Sequence, residues 1–215
     1  MADTFVSLVK SAFRFLEDEY GFTLAFADED GERLFYDGTV LYESGLSAVS
    51  IGIDRGIISL PEISRARDAQ DRRFKWASYI SLSRIREYAI TTAEERATLL
   101  SHDPGVALEI QRIEHAKDFG LAQFLRSKGG SDRITRRREE LDAYAQVLRD
   151  YADPLLRGHF SRWLELREYD WGRWLAERIR REREHGKDIS VREVEASYEE
   201  GLAYLQALRR EYGRA

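Results

Sequence analysis

The stretch that decides the fold runs from Tyr20 to Ile53 and reads YGFTLAFADEDGERLFYDGTVLYESGLSAVSIGI. Its hydrophobic period is two, whereas the residues before it repeat every three or four. Phe22, Leu24 and Phe26 alternate with Thr23 and Ala25, as in a strand with one buried face. Asp28-Glu-Asp-Gly31 has turn composition, and Glu32–Tyr36 reads as a second strand. Asp37-Gly38 then sits between two β-rich runs, which predicts a two-residue hairpin with Gly38 at positive φ. Thr39–Tyr42 is the third strand, Glu43-Ser-Gly45 a turn, and Leu46–Ile53 the fourth strand, with Val49, Ile51 and Ile53 on one face.

Upstream, Phe5, Leu8, Val9, Ala12, Phe13, Leu16 and Tyr20 form one apolar stripe, which predicts a helix over 3–20. Gly21 stands where a left-handed helix stop belongs. The stripe would cover the apolar face of the sheet, giving an α+β unit over residues 1–62.

Downstream, strand signals end near residue 60, and residues 63–215 read as a mainly α-helical region packed against the first unit. Ser64–Arg73 is polar, an exposed helix or a linker. Ser81–Tyr88 is a short helix. Thr92-Ala-Glu-Glu95 is a capping box opening another, which Asp103-Pro104-Gly105 ends. Val106–Leu125 is helical with Lys128-Gly-Gly130 as its stop. Asp132–Leu156 is a long helix with the stripe Leu141, Tyr144, Leu148, Tyr151 and Leu155, kinked or ended by Asp153-Pro154. Phe160–Glu184 is an aromatic-rich helix closed by His185-Gly186. Ser190-Val-Arg-Glu193 is a second capping box, opening a last helix that buries Val194, Tyr198, Leu202, Leu205 and Leu208.

The chain has 215 residues, 43% hydrophobic and 34% charged, the composition of a folded protein. It has no cysteine, which excludes disulfides, thiolate metal sites and cysteine catalysis. No apolar run approaches the roughly 18 residues of a membrane span. The start, Met1-Ala-Asp-Thr-Phe, lacks the features of a secretory signal, so a cytoplasmic location is expected.

Charge is distributed in blocks. Residues 1–62 hold 12 acidic and 4 basic side chains, a balance of −8. Residues 63–138 hold 10 and 16, or +6, and residues 139–215 hold 17 and 14, or −3. Such asymmetry steers a charged partner, or docks one block on the other.

Catalytic motifs are missing. The four histidines form no HExxH pair. Glu182-Arg-Glu-His185 has ExxH spacing without the second motif that a di-iron bundle needs, and reads as a solvated helix end. There is no GxSxG, GxGxxG or GxxxxGK. Glu114-His115 with Asp118 is a triple that a chain this charged produces by chance. Trp163, Trp171 and Trp174 share one helix, and Trp171 falls off its main face, where a binding stripe is an option. No cofactor or metal is expected.

Two surfaces therefore compete. The acidic turn of Asp28, Glu29, Asp30 and Glu32 offers a face for a basic protein partner. The basic stretch holding Arg126, Lys128, Arg133, Arg136, Arg137 and Arg138 could grip phosphates around a Gly-Gly loop. It lacks interleaved aromatics, and the acidic whole repels nucleic acid at long range, so a polar loop paired with the acidic unit is the simpler reading. An enzyme built from carboxylates and arginines without a recognisable motif is the third possibility.

The helix end Phe15-Leu-Glu-Asp-Glu-Tyr-Gly-Phe22, the meander with Phe35-Tyr36 and Val49-Ser-Ile-Gly-Ile53, and the later Tyr144-Ala-Gln-Val-Leu-Arg-Asp-Tyr-Ala-Asp-Pro-Leu-Leu-Arg-Gly-His-Phe160 are similar to small uncharacterised bacterial cytoplasmic proteins. Some of these resemble the immunity proteins of polymorphic toxin systems. The resemblance implies a non-enzymatic, partner-binding protein and supplies no catalytic residue.

Overall fold

A computed structural model describes residues 4–29, 37–71, 77–101, 133–196 and 198–212. The fold is α+β: an N-terminal helix on an antiparallel sheet, followed by a mainly helical C-terminal part. The described residues fall into two compact units, one within 1–86 and 125–160, the other within 87–124 and 161–215.

In the first unit, α1 (Phe5–Ala12) opens with a capping box. The Thr4 hydroxyl accepts from the Ser7 amide at 3.1 Å, and the Ser7 hydroxyl accepts from the Thr4 amide at 2.8 Å. The single helix expected over 3–20 is broken at Phe13-Arg14, and α2 spans Phe15–Tyr20. On one continuous helix Phe13 and Phe15 would point about 200° apart. The break lets Phe13, Phe15 and Leu16 all enter the core. Gly21, at φ +70°, ends α2 as its sequence position predicts.

The strands are β1 (Thr23–Glu29), β2 (Gly38–Glu43), β3 (Ser47–Asp54), β4 (Ile57–Ile58), β5 (Glu62–Arg65) and β6 (Ile80–Ser81). They form an antiparallel sheet in the order β1-β2-β3-β5-β6, with β4 also paired to β3. Strand structure thus continues past residue 60, against expectation. β5 and β6 carry few apolar residues, so their period is illegible, and β3 provides the ladder that makes them strands. The polar stretch beginning at Ser64 is neither a linker nor an exposed helix as far as it is described. Ser64, Arg65 and Asp68 are buried there, and Arg65 Nε meets Asp68 Oδ2 at 2.5 Å.

The turns also differ. Asp28 and Glu29 belong to β1, paired with Thr39 and Gly38. Gly38 is no hairpin residue; it opens β2 and pairs with Glu29 on one side and Ile53 on the other. The positive-φ hairpin is instead Arg55-Gly56, at φ 48° and 77°, between β3 and β4. Asp37 Oδ1 accepts the Arg55 amide at 2.9 Å, which ties that turn to the start of β2. The expected strand Glu32–Tyr36 lies outside the described residues.

The inward face of the sheet holds Val40, Tyr42, Val49, Ile51, Ile53, Ile63 and Ile80, all buried. α1 meets β1, β2 and the long helix α6 (Arg133–Leu156). Pro154 does not stop α6 at once; the helix runs two residues further. Its end is anchored by the Tyr20 hydroxyl on Asp153 at 2.7 Å, Arg149 on Glu19 at 2.7 Å, and the Ser47 hydroxyl on the Leu155 carbonyl at 2.5 Å.

The two remaining first-unit helices are α3 (Ala66–Ala69) and α4 (Leu82–Ile90), the second of which runs past the unit boundary. The second unit holds α5 (Ala93–Leu99), α7 (Trp163–Glu184), α8 (Val191–Ala196) and α9 (Glu199–Tyr212). Both expected capping boxes form, Thr92 with Glu95 and Ser190 with Glu193. Trp163 is buried and donates to the Tyr204 hydroxyl at 3.0 Å. Arg173, 1% exposed, is held by Glu87 at 2.7 Å and Glu177 at 3.3 Å, and the Tyr169 hydroxyl also donates to Glu87. Tyr198, expected in the core, is 41% exposed. The expected helix Val106–Leu125 and its flanking stops lie outside the described residues.

Candidate functional site: the outer face of the sheet

Residues paired across an antiparallel ladder share a face. The pairs Phe26–Leu41, Leu41–Ser50 and Ser50–Glu62 therefore draw one row across the face opposite the helical core. Asp28, Thr39 and Gly52 form the next row, and Thr23, Glu43 and Ala48 lie on the other side.

Phe26 reaches this face through a β-bulge. The register of β1 slips between Leu24 and Phe26, so Ala25 is an extra residue. Leu24 pairs with the inward Tyr42, while Phe26 pairs with the outward Leu41. Strict alternation would have put Phe22, Leu24 and Phe26 on one buried face. The bulge turns the third of these outward, and Phe26 is 50% exposed.

The same face carries carboxylates along it. Asp28 and Glu62 are exposed, and Glu43 is half-buried at the end of β2. Tyr79 precedes the inward Ile80 and so turns outward. Its hydroxyl pKa is pushed up to about 12, first by burial and then by the charges of Glu43 and Glu62, which places both carboxylates close to it. The face is thus an apolar strip of Phe26 and Leu41 flanked by acids. It can take an apolar anchor and pair cations around it.

Of the acidic residues singled out in the sequence, Asp28 lies on this face. Glu29 has its backbone paired at the end of β1, while Asp30 and Glu32 lie outside the described residues. Phe26, Glu43, Glu62 and Tyr79 were missed. The parity of Glu43 along β2 was legible, but no sequence signal marks the bulge.

The basic alternative is divided. Arg126 and Lys128 lie outside the described residues, and Arg133 opens α6. Arg136 and Arg138 are exposed, while Arg137 is half-buried and bonded to Glu140 at 3.3 Å. Glu182 is taken by cations, Arg178 at 2.6 Å and Lys187 at 2.8 Å, and its hydrogen bond from Lys187 leads in lowering its pKa. Among the described residues no group of three His, Asp or Glu side chains could hold a metal ion, and no helix is long and apolar enough to cross a membrane. Trp171 stacks on Trp174 at 5.1 Å, and a Cβ at Gly201 would strike it, so it packs against α9. Glu114, His115 and Asp118 lie outside the described residues. No protein-family model, curated protein sequence or solved structure matches this chain.

Proposed function

We propose that this chain is a non-enzymatic protein-interaction module of the immunity-protein kind, acting in the cytoplasm, whose outer sheet face binds a basic protein partner. The observation that carries the reading is Phe26, half exposed and turned outward by a bulge, on a sheet face that also carries Asp28, Glu43 and Glu62. An exposed aromatic inside a polar rim is the usual anatomy of a binding hot spot. Bulges recur where a strand must re-aim a side chain for function. The −8 balance of residues 1–62 supplies the field that draws a cationic partner in.

The test is capture from the native host lysate by the immobilised chain and by a Phe26→Ser/Asp28→Lys double variant. Both changes are on exposed side chains, and thermal melts confirm that the variant is folded. A basic protein retained by the wild type at about 50 mM NaCl, weakened at about 300 mM, and lost from the variant is the expected result. Equal recovery by both chains overturns the reading.

A further inference from the structure

The geometry points to strand addition on the outer edge of β1: an extended segment of the basic partner continues the sheet beyond Thr23–Glu29. This rests on the reading above for the sign of the partner's charge, and goes beyond it in naming the mode of capture and a sequence pattern.

β1 is the end strand of the sheet among the described strands, paired on one side only, with β2. An edge of this kind presents backbone N–H and C=O groups to any extended chain. Proteins usually blunt such edges with charged side chains, lysine above all, or with proline, bulges or very short strands. β1 has seven residues, TLAFADE, without lysine or proline; it carries a bulge, and its only charges are acids, which a cationic segment pairs with rather than avoids. Thr23, Ala25, Phe26, Ala27 and Asp28 are all exposed, and the two alanines leave the main chain uncovered. The bulge at Ala25 confines the regular ladder to Phe26–Glu29.

The neighbouring side chains dictate what fits. Phe26 and Asp28 face outward, and Ala27, paired with the buried Val40, faces the rim of the core. The segment therefore needs an apolar residue beside Phe26, an aliphatic one beside Ala27, and Lys or Arg beside Asp28. A second copy of this chain is a poor occupant, since edge-to-edge pairing would bring two −8 blocks together.

The probe is a blocked peptide, Thr-Thr-Lys-Val-Val-Val-Lys-Thr-Thr, whose symmetric pattern fits either strand direction. It is titrated against the full chain while the amide signals of Phe26–Asp28 are followed by NMR. Two N-methylated isomers, one methylated at odd and one at even positions, keep every charge but block opposite edges of the peptide. In strand addition only alternate residues bond to the protein. The expected result is that one isomer binds at least tenfold more weakly than the parent while the other keeps its affinity. Binding by both isomers, loss of both, or no binding by the parent overturns the inference. So does a dimer of the chain alone that the peptide dissociates. If the lysate partner is captured but the isomers do not differ, strand addition alone fails. If they differ while the Phe26→Ser/Asp28→Lys variant still captures the partner, the reading of the sheet face fails and the edge stands.

Discussion

The Tyr42 hydroxyl is buried among Val40, Val49 and Ile51 and has no hydrogen-bonding partner among the described residues. A buried polar group left unsatisfied costs about 1–3 kcal/mol. Tyr42→Phe removes that group with little change of shape, and is expected to raise stability by about 1 kcal/mol in urea denaturation. The same site contributes to an alkaline limit on stability. Burial first, and the charge of Glu17 second, push the Tyr42 pKa from 10 up to about 12. The folded chain therefore holds this proton more tightly than the unfolded chain. The resulting stability is present below about pH 10 and is lost as pH rises from there through about 12, because the unfolded state ionises first. Tyr42→Phe should shallow that alkaline decline, and an unchanged pH–stability curve would mean that this hydroxyl does not control it. Trp163 shows the contrary solution, an equally buried polar atom paired with Tyr204.

Among the elements, the β3–β4 hairpin and the β1 bulge do the most to shape the sheet. Arg55-Gly56 joins Asp54 to Ile57 with both turn residues at positive φ, the requirement of a tight turn that follows strand twist. Valine at Gly56 would be forced into the left-handed region, and Gly56→Val is expected to lower stability by about 1–2 kcal/mol. Gly38 sits in a ladder between Glu29 and Ile53, so Gly38→Val should lack this penalty. Paired thermal melts check the difference; equal losses in the two variants would place the tight turn wrongly. At the end of α6, Gly158 meets two demands at once. It has φ +78°, and a Cβ there would lie 2.5 Å from Leu46 Cδ1.

For the molecule as a whole, the described ion pairs are mostly local steps along one helix, such as Arg14–Asp18, Arg162–Glu165 and Arg180–Glu184. Arg149–Glu19 links the acidic first 62 residues to α6. The outer sheet face instead collects acids, Asp28, Glu43 and Glu62, whose like charges repel one another. Salt weakens both effects, with opposite signs. Between about 0.1 M and 1 M NaCl the Debye length falls from roughly 10 Å to 3 Å. Where repulsion within an open acidic face dominates, the melting temperature rises with salt from the outset. Where attraction between the acidic and basic blocks dominates, it falls first. The expected outcome is a rise, read in one thermal-shift series, and an initial fall would show that the acidic block is engaged internally.

The sequence by itself determined whatever depends on a few neighbouring residues. The capping boxes Thr92/Glu95 and Ser190/Glu193, the αL stops at Gly21 and Gly186, and the strands β2 and β3 were legible because a cap reaches three residues and a period needs only two turns. Tertiary structure alone decided the rest. β5 and β6 are strands because β3 offers a ladder, and Arg173 is buried because Glu87, 86 positions away, meets it. Phe13 and Phe15 share one core only through a broken helix. Most consequential is Ala25. A one-residue slip moves every later side chain of a strand to the opposite face, and nothing in Thr-Leu-Ala-Phe-Ala says where β2 will impose it. The alternation in the sequence buries Phe26, whereas the pairing with Leu41 exposes it and builds the candidate site.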